Sequence, residues 1–156
     1  MSAPALNNVS SDLIWSIVRD NHCFLSKSRR NGGAQFSSDP LNLTNKNTRK
    51  HAGFVNDKAI GVVPGEKGGL TILSKTIKNS TKPAKAFSQT KISGAKSTRK
   101  IYKAVANQTT KSGYRADLRQ HAVERVSAIR RAQRPVKEAA EPKLRGKKAQ
   151  KAAESS

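Results

Sequence analysis

Apolar positions near the beginning of the chain predict a short helix. Ser10, Ser11 and Asp12 provide residues that commonly cap a helix N-terminus. The spacing that follows places apolar side chains on one helical face, beside Trp15. The four residues of this face are Leu13, Ile14, Ile17 and Val18.

The next apolar stretches predict strands and hairpins. HCFLSKS (22–28) is an apolar run that becomes alternately polar, and the basic glycine stretch SRRNGGAQ (28–35) is typical of a hairpin tip. A second hairpin is predicted in AIGVVPGEKGGLTILSK (59–75), where glycine and proline separate two apolar runs. The polar stretch 36–54 lies between them, and we expect three of its side chains to dock on the core: Phe36, Leu41 and Leu43.

Two further helices are predicted in the second half. The first begins at Ser97, with Ile101 and Val105 one turn apart. The second begins at Asp117, which forms a capping-box pattern with Gln120, and ends before a proline at position 135. One stripe of this helix is expected to face the core, formed by Leu118, Ala122, Val126 and Ile129 and extended by Ala132.

These elements predict an α+β fold, a small antiparallel sheet packed with helices and carrying basic extensions. Residues 76–96 are rich in lysine, serine and threonine and predict a linker or extended surface arm. The tail 135–156 has almost no bulky apolar residue, so we expect disorder unless it is bound. The predicted order is a flexible N-terminus (1–10), a sheet-containing half (11–75), the linker or arm, two basic amphipathic helices of the same domain (97–134) and the tail.

The charge of the chain indicates a polyanionic partner. Lysine and arginine total 31 against 10 acidic residues, a formal net charge of +21. The excess lies mainly beyond residue 60, where 23 basic residues face six acidic ones. Such a charge repels itself in a compact monomer unless a polyanion neutralises it, and nucleic acid is the commonest polyanion in a cell.

The stretch RADLRQHAVERVSAIRRAQRP (115–135) contains six arginines and no lysine. Helical geometry places Arg119, Arg130 and Arg134 in a band beside the apolar stripe, and the guanidinium fork suits phosphate oxygens. From this stretch alone, the alternative is that the arginines form a solvated face and bind no specific partner. The predicted RNA-binding residues are Arg29, Arg30, Arg49, Lys50, Lys82, Lys85, Lys91, Arg99, Lys100, Arg115, Arg119, Arg130, Arg131, Arg134, Lys143, Arg145, Lys147 and Lys148.

Catalytic, metal and cofactor sites are not predicted. The three histidines are scattered without acidic partners at a suggestive spacing, and zinc would need several Cys or His ligands. His22 and Cys23 are interpreted as a structural histidine and a buried thiol. The aromatic residues able to stack on bases are Phe36, Phe87, Tyr102 and Tyr114, although the core is the favoured place for each. No apolar run approaches the ~18 residues that span a bilayer.

Three stretches in this order resemble the eukaryotic large-subunit ribosomal protein family numbered twenty-eight. They are SDLIWSIVRDNHCFLSKS (11–28), FSSDPLNLTNKNTRKHAGFVNDKAIGVVP (36–64) and KSGYRADLRQHAVERVSAIRRAQRP (111–135). The last is the most specific. By resemblance, the start of the family's helix falls on Tyr114, Arg115, Asp117, Leu118 and Arg119, and its end on Arg130, Arg131, Arg134 and Pro135.

The resemblance implies an architectural protein that binds and neutralises ribosomal RNA during assembly and translation, without catalysis. Ribosomal RNA and neighbouring ribosomal proteins are the implied partners. No small-molecule substrate, membrane or homo-oligomer is expected, and the implied location is the cytoplasmic ribosome, with transit through nucleus and nucleolus. The two alternatives are a nucleolar ribosome-assembly factor that shares the N-terminal module and a linker-histone-like chromatin protein.

Overall fold

The structure, a computed structural model, describes residues 9–79, 82–136, 138, 145–147 and 151. It confirms the predicted α+β class. The helices are α1 (Ser11–Val18), α2 (Thr98–Thr110) and α3 (Arg119–Ala132). The strands are β1 (Leu25–Lys27), β2 (Gln35–Ser37), β3 (Ile60–Pro64), β4 (Leu70–Lys75) and β5 (Phe87–Ile92).

Helix α1 begins where the sequence predicts, but its apolar face is only partly covered. The Ser10 hydroxyl accepts the backbone N–H of Leu13 at 3.2 Å and caps the helix. None of the helix residues is buried, and Leu13 and Ile17 are 53% and 71% exposed. Helical spacing predicts that these side chains share a face with Ile14 and Val18, which are half-buried, so the described residues cover only part of that face.

The predicted hairpin tip 28–35 connects β1 and β2, which form a two-stranded antiparallel sheet. Phe36 on β2 is 45% exposed, so its predicted docking on the core is wrong. Leu41 and Leu43 are buried as expected. Cys23 is exposed rather than buried, because the chain turns there before β1 begins.

A three-stranded antiparallel sheet of order β3–β4–β5 forms the centre of the protein. The predicted hairpin supplies β3 and β4, with Val62 opposite Ile72. Strand β5 lies inside the stretch 76–96, which was predicted to be a linker or extended surface arm. It pairs with β4 along six residues, and its polar middle is exposed because it is an edge strand.

Helices α2 and α3 pack together over one face of this sheet. The short connection between them makes them antiparallel. The stripe of α3 is buried as predicted, except that Ala132 is exposed. Ile101 and Val105 on α2 are fully buried, and each such side chain contributes about 1.5–3 kcal/mol of transfer free energy. The remaining core residues are Leu43, Ile60, Val62, Leu70, Ile72 and Ile92.

The beginning of α3 differs from the predicted capping box. A 3-10 turn spans Ala116–Leu118, and the α-helix starts at Arg119 without a side-chain cap. Asp117 is bound by the Arg115 guanidinium instead, and Gln120 donates to Glu124 at 2.9 Å. Asp117 therefore forms an ion pair with Arg115 instead of capping the N-terminus of α3.

The irregular segment 38–58 crosses the sheet face opposite the helices. Buried Asp39 accepts the N–H groups of Leu41 (2.9 Å) and Phe54 (3.1 Å) through separate carboxylate oxygens. A Cβ atom on Gly61 of β3 would lie 2.0 Å from the carbonyl oxygen of Pro40. Glycine is therefore required at position 61, because the segment packs directly on the strand backbone.

Candidate nucleic-acid interface

The C-terminus of α3 is fixed to two turns of the central sheet. Arg130 Nη1 donates to the carbonyl oxygens of Gly68 at 3.0 Å and Gly94 at 3.4 Å. Gln133 Nε2 donates to the carbonyl oxygen of Gly69 at 3.0 Å. These contacts join the β3–β4 turn, the residues after β5 and the end of α3 at one end of the protein.

Exposed basic side chains from separate parts of the chain lie at this end. They come from the end of β5, the first turn of α2 and the last turn of α3 with the residues after it. We call this set the basic end, defined as Lys91, Arg99, Lys100, Arg131 and Arg134. Lys67 and Lys96, which were not among the predicted site residues, are exposed in the adjoining turns, and Glu66 is the nearby carboxylate.

The first turn of α2 has an unusual charge for a helix N-terminus. It contains Arg99 and Lys100 and no acidic residue, and the Ser97 side chain makes no capping hydrogen bond. The helix dipole favours anions at this position, so two cations there are unfavourable on their own. An external anion such as phosphate would relieve both the dipole and the side-chain charges.

Arg115 has intramolecular partners on every side of its guanidinium. Its Nη1 donates to the Lys58 carbonyl at 2.8 Å and its Nη2 to the Lys50 carbonyl at 3.1 Å. Nε and Nη2 also bind the two carboxylate oxygens of Asp117 at 2.8 and 2.9 Å. This fork lowers the pKa of Asp117 and joins the start of α3 to the segment 50–58.

Arg49 has a similar role at α1. Its Nε binds Asp12 at 2.8 Å, its Nη2 donates to the Ser11 hydroxyl at 2.7 Å, and its Nη1 binds Asn56. Together with Arg115 and Arg130, it shows that three of the predicted RNA-binding arginines are held by the protein itself. An external ligand could be bound only by the N–H groups of these three arginines that make no such internal contact.

The remaining predicted residues are solvent-facing or outside the described part. Lys143 and Lys148 lie outside the described residues, as do residues 1–8 of the predicted flexible N-terminus and most of the predicted tail. Arg29 and Arg30 are at the β1–β2 tip, away from the α2–α3 pair in the chain. The exposed predicted residues outside the basic end are Arg29, Arg30, Lys50, Lys82, Lys85, Arg119, Arg145 and Lys147.

A histidine pair lies beside Arg115. The rings of His51 and His121 meet edge to face with centroids 5.0 Å apart. Burial lowers the pKa of His51, and the neighbouring His121, Lys50 and Arg115 lower it further. His51 is therefore biased towards its neutral form, which agrees with a structural histidine rather than an additional cation.

Lys75 is a basic residue that is buried instead of exposed to solvent. It is 6% exposed, and its Nζ donates to the backbone carbonyls of Asn56 at 2.8 Å and Phe54 at 3.4 Å. Burial lowers its pKa. The alternating pattern of β4 does not predict that Lys75 is buried, because the carbonyl groups that accept its hydrogen bonds belong to the irregular segment 38–58.

The described residues contain no group of three or more His, Cys, Asp and Glu side chains that could hold a metal ion. Of the helices that the structure describes, none has the length and apolarity to cross a membrane. The site is accordingly defined by cationic surface rather than by an enclosed cluster of ligating groups.

The fold and site define a class: a small α+β protein with cationic side chains from several elements exposed at one end. The chain belongs to the Ribosomal L28e protein family, whose family model matches residues 13–132. The resemblance stated from the motifs is thereby confirmed. That family is one of ribosomal proteins, which are not an enzyme class.

Two relatives match nearly along their whole length. The large ribosomal subunit protein eL28 of Schizosaccharomyces pombe is 45% identical over 131 residues, which are 83% of this chain and 97% of that protein. The protein of the same name in Dictyostelium discoideum is 34% identical over 137 residues, 88% of this chain and 98% of that protein.

Proposed function

We propose that this chain is a structural constituent of the large ribosomal subunit and binds ribosomal RNA through its basic end. Family membership and the names of the two relatives support the large subunit. The observation that supports the RNA contact is the convergence of Lys91, Arg99, Lys100, Arg131 and Arg134 from three elements.

The basic end suits a phosphate backbone rather than a small anion. Its side chains are exposed and extend from a frame fixed by Arg130, instead of enclosing a cavity. Phosphate contacts of this type position a protein on a nucleic acid without reading its sequence. Specificity for a particular RNA helix then depends on the spacing of the cations, which the packing of α2 against α3 sets.

The remaining exposed basic residues extend this function. They add positive potential around the basic end and are Arg29, Arg30, Lys50, Lys82, Lys85 and Arg119. The sequence of the predicted basic tail contains further positively charged residues. We propose that the protein functions in the cytoplasmic ribosome and passes through the nucleus and nucleolus during assembly. Neighbouring ribosomal proteins complete the proposed set of partners.

Salt-dependent RNA binding tests the proposal. Affinity for a large-subunit ribosomal RNA fragment is measured by filter binding at several salt concentrations. The double variant Arg131→Ala, Arg134→Ala should bind more weakly, and its salt slope should fall by about two, because each lost phosphate contact removes roughly one released counterion.

The matched control is Arg19→Ala with Lys27→Ala, which removes the same charge from exposed residues near α1 and β1. It should leave the slope close to that of the unchanged protein. Equal losses in the two double variants would mean that only total charge matters. That result would contradict a defined interface at the basic end.

A further inference from the structure

A groove lies on the sheet face opposite the helices. The sheet contributes Phe87 and Leu73, the segment 38–58 contributes Phe54 and Leu41, and Phe24 comes from the residue just before β1. Its volume is about 210 Å³, enough for one nucleobase, whose ring system resembles a tryptophan side chain in size. The mostly apolar lining and the opening to solvent give a flat ring a place to insert.

The walls of the groove are held in place before any ligand arrives. The rings of Phe24 and Phe54 pack with centroids 5.7 Å apart, and His22 packs on Phe54 at 4.8 Å. The backbone N–H of Phe54 donates to Asp39. Because these contacts fix the rings of Phe24 and Phe54, a ligand ring would bind to them without the cost of ordering them.

The polar groups around the groove are compatible with a base. Both carboxylate oxygens of Asp39 already accept backbone N–H groups, so this buried carboxylate is satisfied within the protein. Gln89 lines the groove from the exposed edge strand β5. Its amide can both donate and accept, as the edge of a nucleobase requires.

The charge near the groove favours RNA over an apolar protein side chain. Lys75 pairs with Phe87 across the two strands, so the β4–β5 connection lies at this end of the sheet. That connection contains exposed Lys78, Lys82 and Lys85. Lys91 follows Gln89 at the spacing of one strand face. A phosphate backbone passing these cations would present its bases to the groove.

We propose that this groove binds a single unpaired base of RNA, stacked on Phe87 and Phe54. The inference rests on the proposed function and adds to it a contact that phosphate binding alone does not provide. Single-stranded and bulged bases are the parts of RNA that proteins recognise by stacking on aromatic rings. Phe87, half-buried and at the start of an edge strand, offers the accessible ring.

Two hairpin RNAs of equal length test the proposal, one fully paired and one with a single bulged adenine. The full chain should prefer the bulged hairpin by roughly 5- to 150-fold, the range of one base–aromatic contact. Phe87→Leu should remove most of this preference while leaving affinity for the paired hairpin unchanged. Phe87→Tyr, which keeps the ring, should retain the preference.

Two controls separate stacking from folding and general hydrophobicity. Ile77→Ala removes an apolar side chain that is 50% exposed and outside the groove lining, and should keep the preference. Thermal melting shows whether Phe87→Leu is folded. If that variant unfolds, photocrosslinking of a 5-iodouracil bulge to the unchanged protein gives the answer: crosslinks at Phe87 or Phe54 support the proposal, and crosslinks only elsewhere overturn it.

Equal affinity for the two hairpins, with salt dependence retained, would overturn the base site and leave the proposed function standing. The groove would then be better suited to an apolar side chain of a neighbouring protein. A preference that survives Phe87→Leu in a folded protein would also overturn it. Salt-independent or undetectable binding of both hairpins would contradict the proposed function together with the base site.

Discussion

At the scale of single residues, Tyr114 joins three parts of the chain through one hydroxyl group. It accepts the N–H of Ala59 at 3.2 Å and donates to the carbonyl of Lys75 at 2.5 Å. Burial raises the pKa of the Tyr114 phenol. The α2–α3 connection is thereby fixed to the ends of β3 and β4, which determines where α3 begins relative to the sheet.

Tyr114→Phe should destabilise the protein by about 1–3 kcal/mol, because it leaves a buried N–H and a carbonyl without their partner. Urea denaturation followed by circular dichroism measures the change. Tyr102→Phe is the matched control, since the structure shows no hydrogen bond from the Tyr102 hydroxyl to any described residue and that ring also packs on the core. Equal effects of the two substitutions would contradict the role given to the Tyr114 hydroxyl.

The individual arginines show why composition alone does not define a site. The sequence predicts a basic surface, but Arg115 and Arg130 use their guanidinium groups within the protein. Their carbonyl partners lie between 36 and 65 residues away along the chain. No local pattern encodes a contact over that separation. The sequence therefore could not show that distant carbonyls hold Arg115 and Arg130 while Arg131 and Arg134 stay exposed.

At the scale of elements, a strong apolar periodicity correctly predicted which face is buried where another element of the protein packs against that face. The stripe of α3 is buried against α2 and the sheet, as expected. Helix α1 has an equally clear stripe, yet Leu13 and Ile17 are exposed. Periodicity identifies which residues share a face, whereas burial of that face depends on a partner elsewhere in the fold or beyond it.

Strand β5 was not predicted, and the segment 38–58 was predicted only as a polar stretch anchored by a few apolar side chains, because neither has a regular apolar pattern. In FSQTKI, Ile92 is the buried residue and the middle four residues are exposed on an edge strand. The segment is stabilised by polar side chains such as Asp39 and Asn42 that satisfy nearby backbone groups. The aromatic groove lies between these two elements, so the sequence identified Phe87 as a residue able to stack on a base but did not predict the groove.

Ile129→Asp should destabilise the protein by several kcal/mol, because it buries an unpaired charge in the α3 stripe. Ser127→Asp introduces the same charge on the exposed side of α3 and should have a much smaller effect. Thermal melting compares the two variants. A melting temperature for Ile129→Asp equal to that of Ser127→Asp would show that the stripe is not part of the core.

At the scale of the whole molecule, the fold reconciles a net charge of +21 with a small core. The helices and sheet enclose the apolar residues, and the cations from β5, α2 and α3 extend outwards. In isolation these charges repel one another, and RNA phosphates would remove that repulsion. Under the proposed function, neutralisation would stabilise the protein and organise the RNA through the same contacts.

The most direct test of the central claim is sedimentation of a tagged copy expressed in Schizosaccharomyces pombe, whose relative is 45% identical. Lysates are separated on sucrose gradients after washes at moderate and high salt. The protein should co-migrate with free large subunits, monosomes and polysomes after the moderate-salt wash. Confinement to nuclear precursor particles would favour an assembly factor, and release into the light fractions would contradict a stable place in the large subunit.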